Sequence, residues 1–216
     1  PDASTALTVS TMPSFALSWL IPRLGSLKEC HPELEVRISI SAHLTDFGRE
    51  DVDVAIRFGQ GVYPGLRSDL LMEEHFFPVC SAALLGNPQR PLREPSDLRH
   101  HTLLHEAAES IPGYITWPRW LAMAGVDGVD SAQGPRFSHT FLALQAAASG
   151  QGVALATSVL IGDYQDAGRL VRPFPHQVRS PYQYYLVCPE ASAERPAIAA
   201  FRNWIRNEAK AHNEWH

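Results

Sequence analysis

Residues 7–32, LTVSTMPSFALSWLIPRLGSLKECHP, run from a strand through a small polar turn into a helix, and this order limits the fold more than any other stretch. Leu7-Thr8-Val9-Ser10 alternates apolar and polar residues, the period of a strand. Thr11-Met12-Pro13-Ser14 stops it, because proline fixes its own φ and holds Met12 extended. Ser14 then reads as the N-cap of a helix over Phe15 to Cys30. At 100° per residue, Phe15, Ala16, Leu17, Trp19, Leu20, Ile21, Leu24, Leu27 and Cys30 fill more than half of that helix's circumference, and Pro22 predicts a kink. So wide an apolar arc exceeds what one sheet face covers. Part of the helix should meet a second surface, such as another subunit.

The turn before the helix carries the chemistry. A helix N-terminus has unpaired N–H donors and a partial positive charge, and Ser10, Thr11 and Ser14 set hydroxyls beside them. Such a turn can hold a carboxylate or phosphate. The plainer alternative is that Ser14 only caps its helix.

With 216 residues the chain suits one large domain or two small ones. Its net charge of −5 and scattered basic residues exclude a phosphate-neutralising face, so this segment should not bind nucleic acid itself. No apolar run approaches the roughly 20 residues of a membrane span. Pro1-Asp2-Ala3-Ser4-Thr5 is polar and lacks the basic region of a signal peptide, and Pro1 is not a natural start, so a fragment or processed form is expected. Cys30, Cys80 and Cys188 have no metal or redox spacing and read as buried free thiols in a reducing compartment.

Further along, Glu35 to Ser41 alternates as a second strand. Val52 to Phe58 is a third, apolar enough to be covered on both faces, and these spacings read as parallel α/β. Gly59-Gln60-Gly61-Val62-Tyr63-Pro64-Gly65 lacks the glycine spacing of a dinucleotide fingerprint and reads as a loop. Strands are expected at Leu66 to Glu74, Phe76 to Cys80, Thr102 to His105, Pro135 to Ser138, Val153 to Ala156, Arg169 to Phe174 and Tyr182 to Cys188. Helices are expected at Trp117 to Ala124, at His139 to Ser149 capped by Ser138, at Val159 to Ala167 capped by Ser158, and at Ser192 to Ala211. The last should bury a stripe of Ile198, Phe201, Ile205 and Ala209. The strand, polar turn and helix of the opening thus recur at Ser138-His139-Thr140 and at Thr157-Ser158.

Taken together, LTVSTMPSFALSWLIPRLGSLKECHPELEVRI, DVDVAIRFGQG, FPVCSAALL, LRHHTLLH, FSHTFLALQAAASGQGVALA, AGRLVRPF and YYLVCPE resemble, in order and spacing, the effector-binding domain of LysR-type transcriptional regulators. DVDVAIRFG, QGPRFSHT and GRLVRPF look nearest the glycine-cleavage activator and β-lactamase regulator branch. The resemblance implies a type 2 periplasmic-binding-protein-like α/β fold, two α/β subdomains joined by two crossing strands. Subdomain one would be residues 6–78 plus 184–216, and subdomain two residues 79–183. It further implies a small anionic or zwitterionic effector in the cleft between them, a cytoplasmic homodimer or tetramer, and promoter DNA bound only through a winged helix-turn-helix outside this chain.

Carried over, the effector site uses Ser10, Thr11, Met12, Pro13 and Ser14, then Phe58 at the end of the third strand. Leu104, His105, Ser138, His139 and Thr140 come from the second subdomain, and Tyr184 from the second crossover. These are helix N-termini or C-terminal strand ends, where open α/β sheets bind ligands. A free-standing solute-binding protein of a transporter has the same fold, but the broad apolar arc of the first helix favours a sensor that assembles. No nucleophile elbow, metal-ligand pair or carboxylate pair supports an enzyme, and no cofactor is implied. His101 and His105 flank a strand rather than share a helix face. Trp117, Trp120 and Met123 read as local core, and His212 and His216 as residues of a fraying end. Arg57 either reaches the ligand or pairs with Asp53.

Overall fold

The computed structural model describes residues 5–108 and 111–215; the first four residues and His216 lie outside the described residues. In chain order the strands and helices are β1 (Ala6–Thr11), a composite helix α1 (13–30), β2 (Glu35–Ile40), β3 (Val54–Gly59), β4 (Leu66–Met72), β5 (His75–Val79), α2 (Ala82–Leu85), β6 (Leu103–Glu106), α3 (Trp117–Ala124), β7 (Arg136–Phe137), α4 (Thr140–Ala148), β8 (Val153–Thr157), α5 (Gly162–Asp166), β9 (Val178–Arg179), β10 (Gln183–Pro189) and α6 (Pro196–Trp215). They form two compact units, residues 1–73 with 182–216 and residues 74–181. The expected boundaries at 78/79 and 183/184 move because pairing decides membership. His75–Val79 is hydrogen-bonded to Val153–Thr157 in the second sheet, and Tyr182 stacks on Phe58 in the first unit.

The first unit holds a sheet in the order β2-β1-β3-β10-β4. β1 is parallel to β2 and β3, whereas β10 is antiparallel to β3 and β4, so the sheet is mixed rather than purely parallel. The composite α1 changes winding along its length: Pro13–Phe15 is α, Ala16–Leu20 is π, Ile21–Arg23 is 3₁₀ and Leu24–Cys30 is α again. Pro22 explains the irregularity, since it cannot donate an N–H to the preceding turn. Phe15, Trp19, Leu20 and Leu27 are buried, while Leu17 and Ile21 are each 50% exposed. The apolar arc is therefore covered on one side only within this chain. α6 buries Ile198, Phe201, Ile205 and Ala209 as its spacing predicts. It begins at Pro196 rather than Ser192, because residues Glu190–Ser192 form a separate 3₁₀ turn. Ser26 ties α1 to α6: its hydroxyl donates to Glu208 (2.6 Å) and accepts from the Trp204 indole (2.9 Å). His212 does not fray; it is buried, edge-on to Trp19.

The second unit repeats the plan with the order β7-β6-β8-β5-β9. β6 is parallel to β7 and β8, and β5 is antiparallel to β8 and β9. Phe77, Val79, Leu104, Ala143, Leu144, Ala147, Ala154 and Ile161 pack as its core. The strand expected over Arg169 to Phe174 is reduced to a single bridge between Cys80 and Val171. Trp117 and Trp120 are buried as expected, but Met123 is 54% exposed, because the 100° step per residue carries it round α3 past the face that Trp117, Trp120 and Leu121 bury. Cys80 and Cys188 are buried and free, whereas Cys30 at the open end of α1 is exposed.

Candidate functional site

In the first unit, β1 delivers Ser10 and Thr11 at its C-terminal end, both fully buried, and Met12 is the N-cap of α1 with extended backbone. Ser14 is therefore not the cap. Pro13 takes the first helical position, which suits a residue without an N–H, and leaves Ser14 inside the first turn with no capping bond from its side chain. Strand alternation sends Ser10 and Thr11 to opposite faces of the sheet. The Ser10 hydroxyl accepts from the Arg57 guanidinium (2.7 Å). Thr11 Oγ1 is buried and has no hydrogen-bond partner among the described residues. On Thr11's side, Tyr184 stacks between Phe15 (4.8 Å between ring centroids) and Phe58 (5.0 Å), and Phe58 also meets Tyr182 (5.6 Å). The structure thus brings Thr11, Met12, Pro13, Ser14, Phe58 and Tyr184 into one unit beside an aromatic row.

In the second unit, the predicted residues gather around β6 and the start of α4. Leu104 is core. His105 is buried, and its Nε2 donates to the Gln133 carbonyl (2.8 Å), while its backbone N–H donates to Pro135 (2.9 Å). His105 thus anchors the loop before β7. A Cβ on Gly134, at φ +123°, would collide with the Leu103 carbonyl, so only glycine lets that loop approach the strand. The expected cap by Ser138 is absent. His139 occupies the cap position without a side-chain cap bond, and Ser138 instead shares a 2.8 Å hydrogen bond with His139 Nδ1.

Thr140 reaches a residue that the sequence reading missed. Its hydroxyl donates to Glu106 Oε2 (2.7 Å), and the Tyr114 hydroxyl donates to the same oxygen (2.6 Å). Glu106 borders a small hollow of about 20 Å³, walled by Phe76, Tyr114 and Trp117. Space for about one small group is available there. The carboxylate already lies at the start of α4, where the helix dipole favours a negative charge. Glu106 stands one residue past the predicted pair Leu104 and His105, a polar strand end; nothing in the sequence marked Tyr114.

The other expected helix cap, Ser158, also serves elsewhere. Its hydroxyl donates to Glu74 (2.6 Å), and α5 starts only at Gly162. Arg57 does not pair with Asp53, which accepts from Arg195 (2.8 Å) and from the Thr8 N–H (2.9 Å). Among the described residues no group of three His, Cys, Asp or Glu is placed to hold a metal ion, and no helix is long and apolar enough to cross a membrane.

Paired α/β units of this kind, each ending a parallel strand in a polar turn and a helix, define a ligand-binding domain of the type 2 periplasmic-binding-protein-like fold. The model of the LysR substrate binding domain matches residues 2–210, and the chain belongs to that family. It is 45% identical over 213 residues to the glycine cleavage system transcriptional activator of Escherichia coli (strain K12), covering 99% of this chain and 68% of that protein. It is 31% identical over 200 residues to the transcriptional activator AmpR of Pseudomonas aeruginosa, covering 92% of this chain and 64% of that one. The solved effector domain of Pseudomonas aeruginosa AmpR superposes with a TM-score of 0.77 at 29% identity, covering 95% of this chain and 96% of that domain.

Proposed function

We propose that this chain senses a small zwitterionic, amino-acid-like effector on behalf of a dimeric cytoplasmic transcription regulator, whose DNA contacts are made by a separate domain. The effector carboxylate is received at the β1–α1 turn by Thr11, Ser14 and the first N–H groups of α1. Met12, Pro13, Phe58 and Tyr184 of the same unit complete the contacts there, as the family resemblance implies.

The observation that carries this reading is Thr11 Oγ1, a fully buried hydroxyl at a helix start with no partner among the described residues. A buried polar group without a partner costs free energy that a bound acceptor would recover. The similarity to a transcriptional activator of the glycine cleavage system makes glycine the first compound to try.

Calorimetric titration with glycine and a panel of amino acids tests the assignment. N-acetylglycine, which lacks the ammonium, and glycine methyl ester, which lacks the carboxylate, should both bind at least tenfold more weakly than the parent. Thr11→Val should weaken binding roughly tenfold or more, the cost of a lost hydrogen bond to a charged group. Equal binding of N-acetylglycine would refute the zwitterionic assignment.

A further inference from the structure

The first unit contains a second candidate pocket, on the sheet face opposite Thr11, that the effector reading does not use. It is a hollow of about 230 Å³ whose walls include Leu44, Phe47, Val62 and Tyr63, with Arg57 at its base. Arg57 is only 6% exposed. Its guanidinium donates to Ser10 Oγ (2.7 Å), Thr45 Oγ1, the Ile56 carbonyl (3.3 Å) and the Ser41 carbonyl (3.4 Å), all of them neutral acceptors. Its Nε has no partner, and no carboxylate lies within ion-pair distance of it among the described residues. Asp53, four residues earlier and just before the strand begins, is taken by Arg195 instead.

A buried cation without an anion is unusual, because charges withdrawn from water are ordinarily paired. Burial also pushes the Arg57 guanidinium below its ordinary value, although Tyr63 and Glu50 act in the other direction. The walls are built rather than incidental. Gly59 leaves room for Tyr63 to fold back over the strand end, and Gly61, at φ +83°, lets the Tyr185 ring approach to 2.6 Å from where a Cβ would stand. The glycine-rich loop GQGVYPG, which fits no nucleotide fingerprint, therefore has a structural purpose: it closes an apolar wall around an arginine. At the rim, Leu44 and Val62 are 76% and 81% exposed, an apolar mouth left open to solvent.

We propose that this pocket binds a small organic carboxylate with an apolar body, the carboxylate meeting Arg57 and the body lying against Leu44, Phe47 and Val62. With both terminal nitrogens held by Ser10, Thr45, Ser41 and Ile56, the Nε–H of Arg57 is the donor left for a carboxylate oxygen, and the hydrogen bond it would give is charge-assisted. The pocket is below the size of a drug-like site, which limits the ligand to a compact branched aliphatic or single-ring acid.

Titrating the chain with isovalerate and phenylacetate, and with the neutral amides isovaleramide and phenylacetamide, tests this by calorimetry and by methyl NMR of Leu44, Val62 and Val187. The acids should bind and shift those methyls, and the amides should bind at least tenfold more weakly. Arg57→Gln should reduce acid binding at least tenfold. Should Arg57→Gln fail to fold, Val62→Glu decides, because it alters only an exposed rim position and sets a like charge over the mouth; it too should abolish acid binding. Thr11→Val should leave acid binding unchanged, which separates this pocket from the effector turn. Absence of acid binding at several millimolar, equal binding of acid and amide, or normal binding by Val62→Glu would each overturn the proposal.

Discussion

Raising the pH through the range just above 4.5 to about 7 should destabilise the second unit through one side chain, Glu74. This carboxyl is fully buried, and its Oε1 accepts from the Ser158 hydroxyl (2.6 Å) and from the N–H groups of His75 and Val159 (both 3.1 Å). Oε2 has no partner among the described residues. Burial pushes the carboxyl up to about 7, and the hydrogen bonds offset only part of that rise. In the unfolded chain the same group releases its proton near 4.5. Between those values the folded state binds more protons than the unfolded state, so stability falls as pH rises through this window. The loss is complete above the folded value, and below the unfolded value the contribution is constant. A gap of this size corresponds to about 3 kcal/mol at most. Glu74→Gln keeps the Oε1 acceptor for Ser158, His75 and Val159 but cannot titrate. Urea unfolding of both proteins from about pH 5 to pH 8 isolates the effect, since all other groups cancel in the difference. The stability of the unmutated protein should fall relative to the variant by about 1–3 kcal/mol across that range. Parallel pH profiles would refute the argument.

Three further outcomes are expected. Leu17 and Ile21 leave an apolar flank of α1 uncovered, so the chain should sediment as a dimer at tens of micromolar, and Ile21→Glu should make it monomeric with unchanged circular dichroism. Ser26→Ala should cost about 1–2 kcal/mol in urea unfolding, because it removes the hydroxyl that links Trp204 and Glu208 of α6 to α1. With a net charge of −5, this chain alone should not shift promoter DNA in a gel assay even at low salt; sub-micromolar binding would contradict that.

Elements bounded by strong local chemistry were legible in the sequence. Trp117–Ala124 ends at Gly125, which adopts the left-handed conformation that only its glycine spacing could signal, and the stripe of α6 is buried where its period places it. Alternation likewise found β1 and β2. The mixed sheets were not legible, because direction depends on where a distant strand returns: β10 closes against β3 and β4 after more than a hundred intervening residues.

The hydroxyls explain why the candidate site was only partly readable. Ser14, Ser138 and Ser158 each precede or open a helical pattern, and a serine there is ordinarily a cap. None of them caps. Pro13 claims the first helical position and passes the cap to Met12, and Ser138 turns to its neighbour His139. Ser158 is drawn to Glu74, whose fully buried carboxyl group, 84 residues away, would lose more by going without a hydrogen bond than a helix end would. The same competition governs Thr140, which serves Glu106 rather than an incoming anion. A local pattern predicts that a hydroxyl will find a partner, but the partner is chosen by whichever polar group the fold brings within reach. That principle singles out Thr11, within the predicted effector site the hydroxyl that is fully buried and lacks a partner among the described residues, as the position where a ligand has most to contribute.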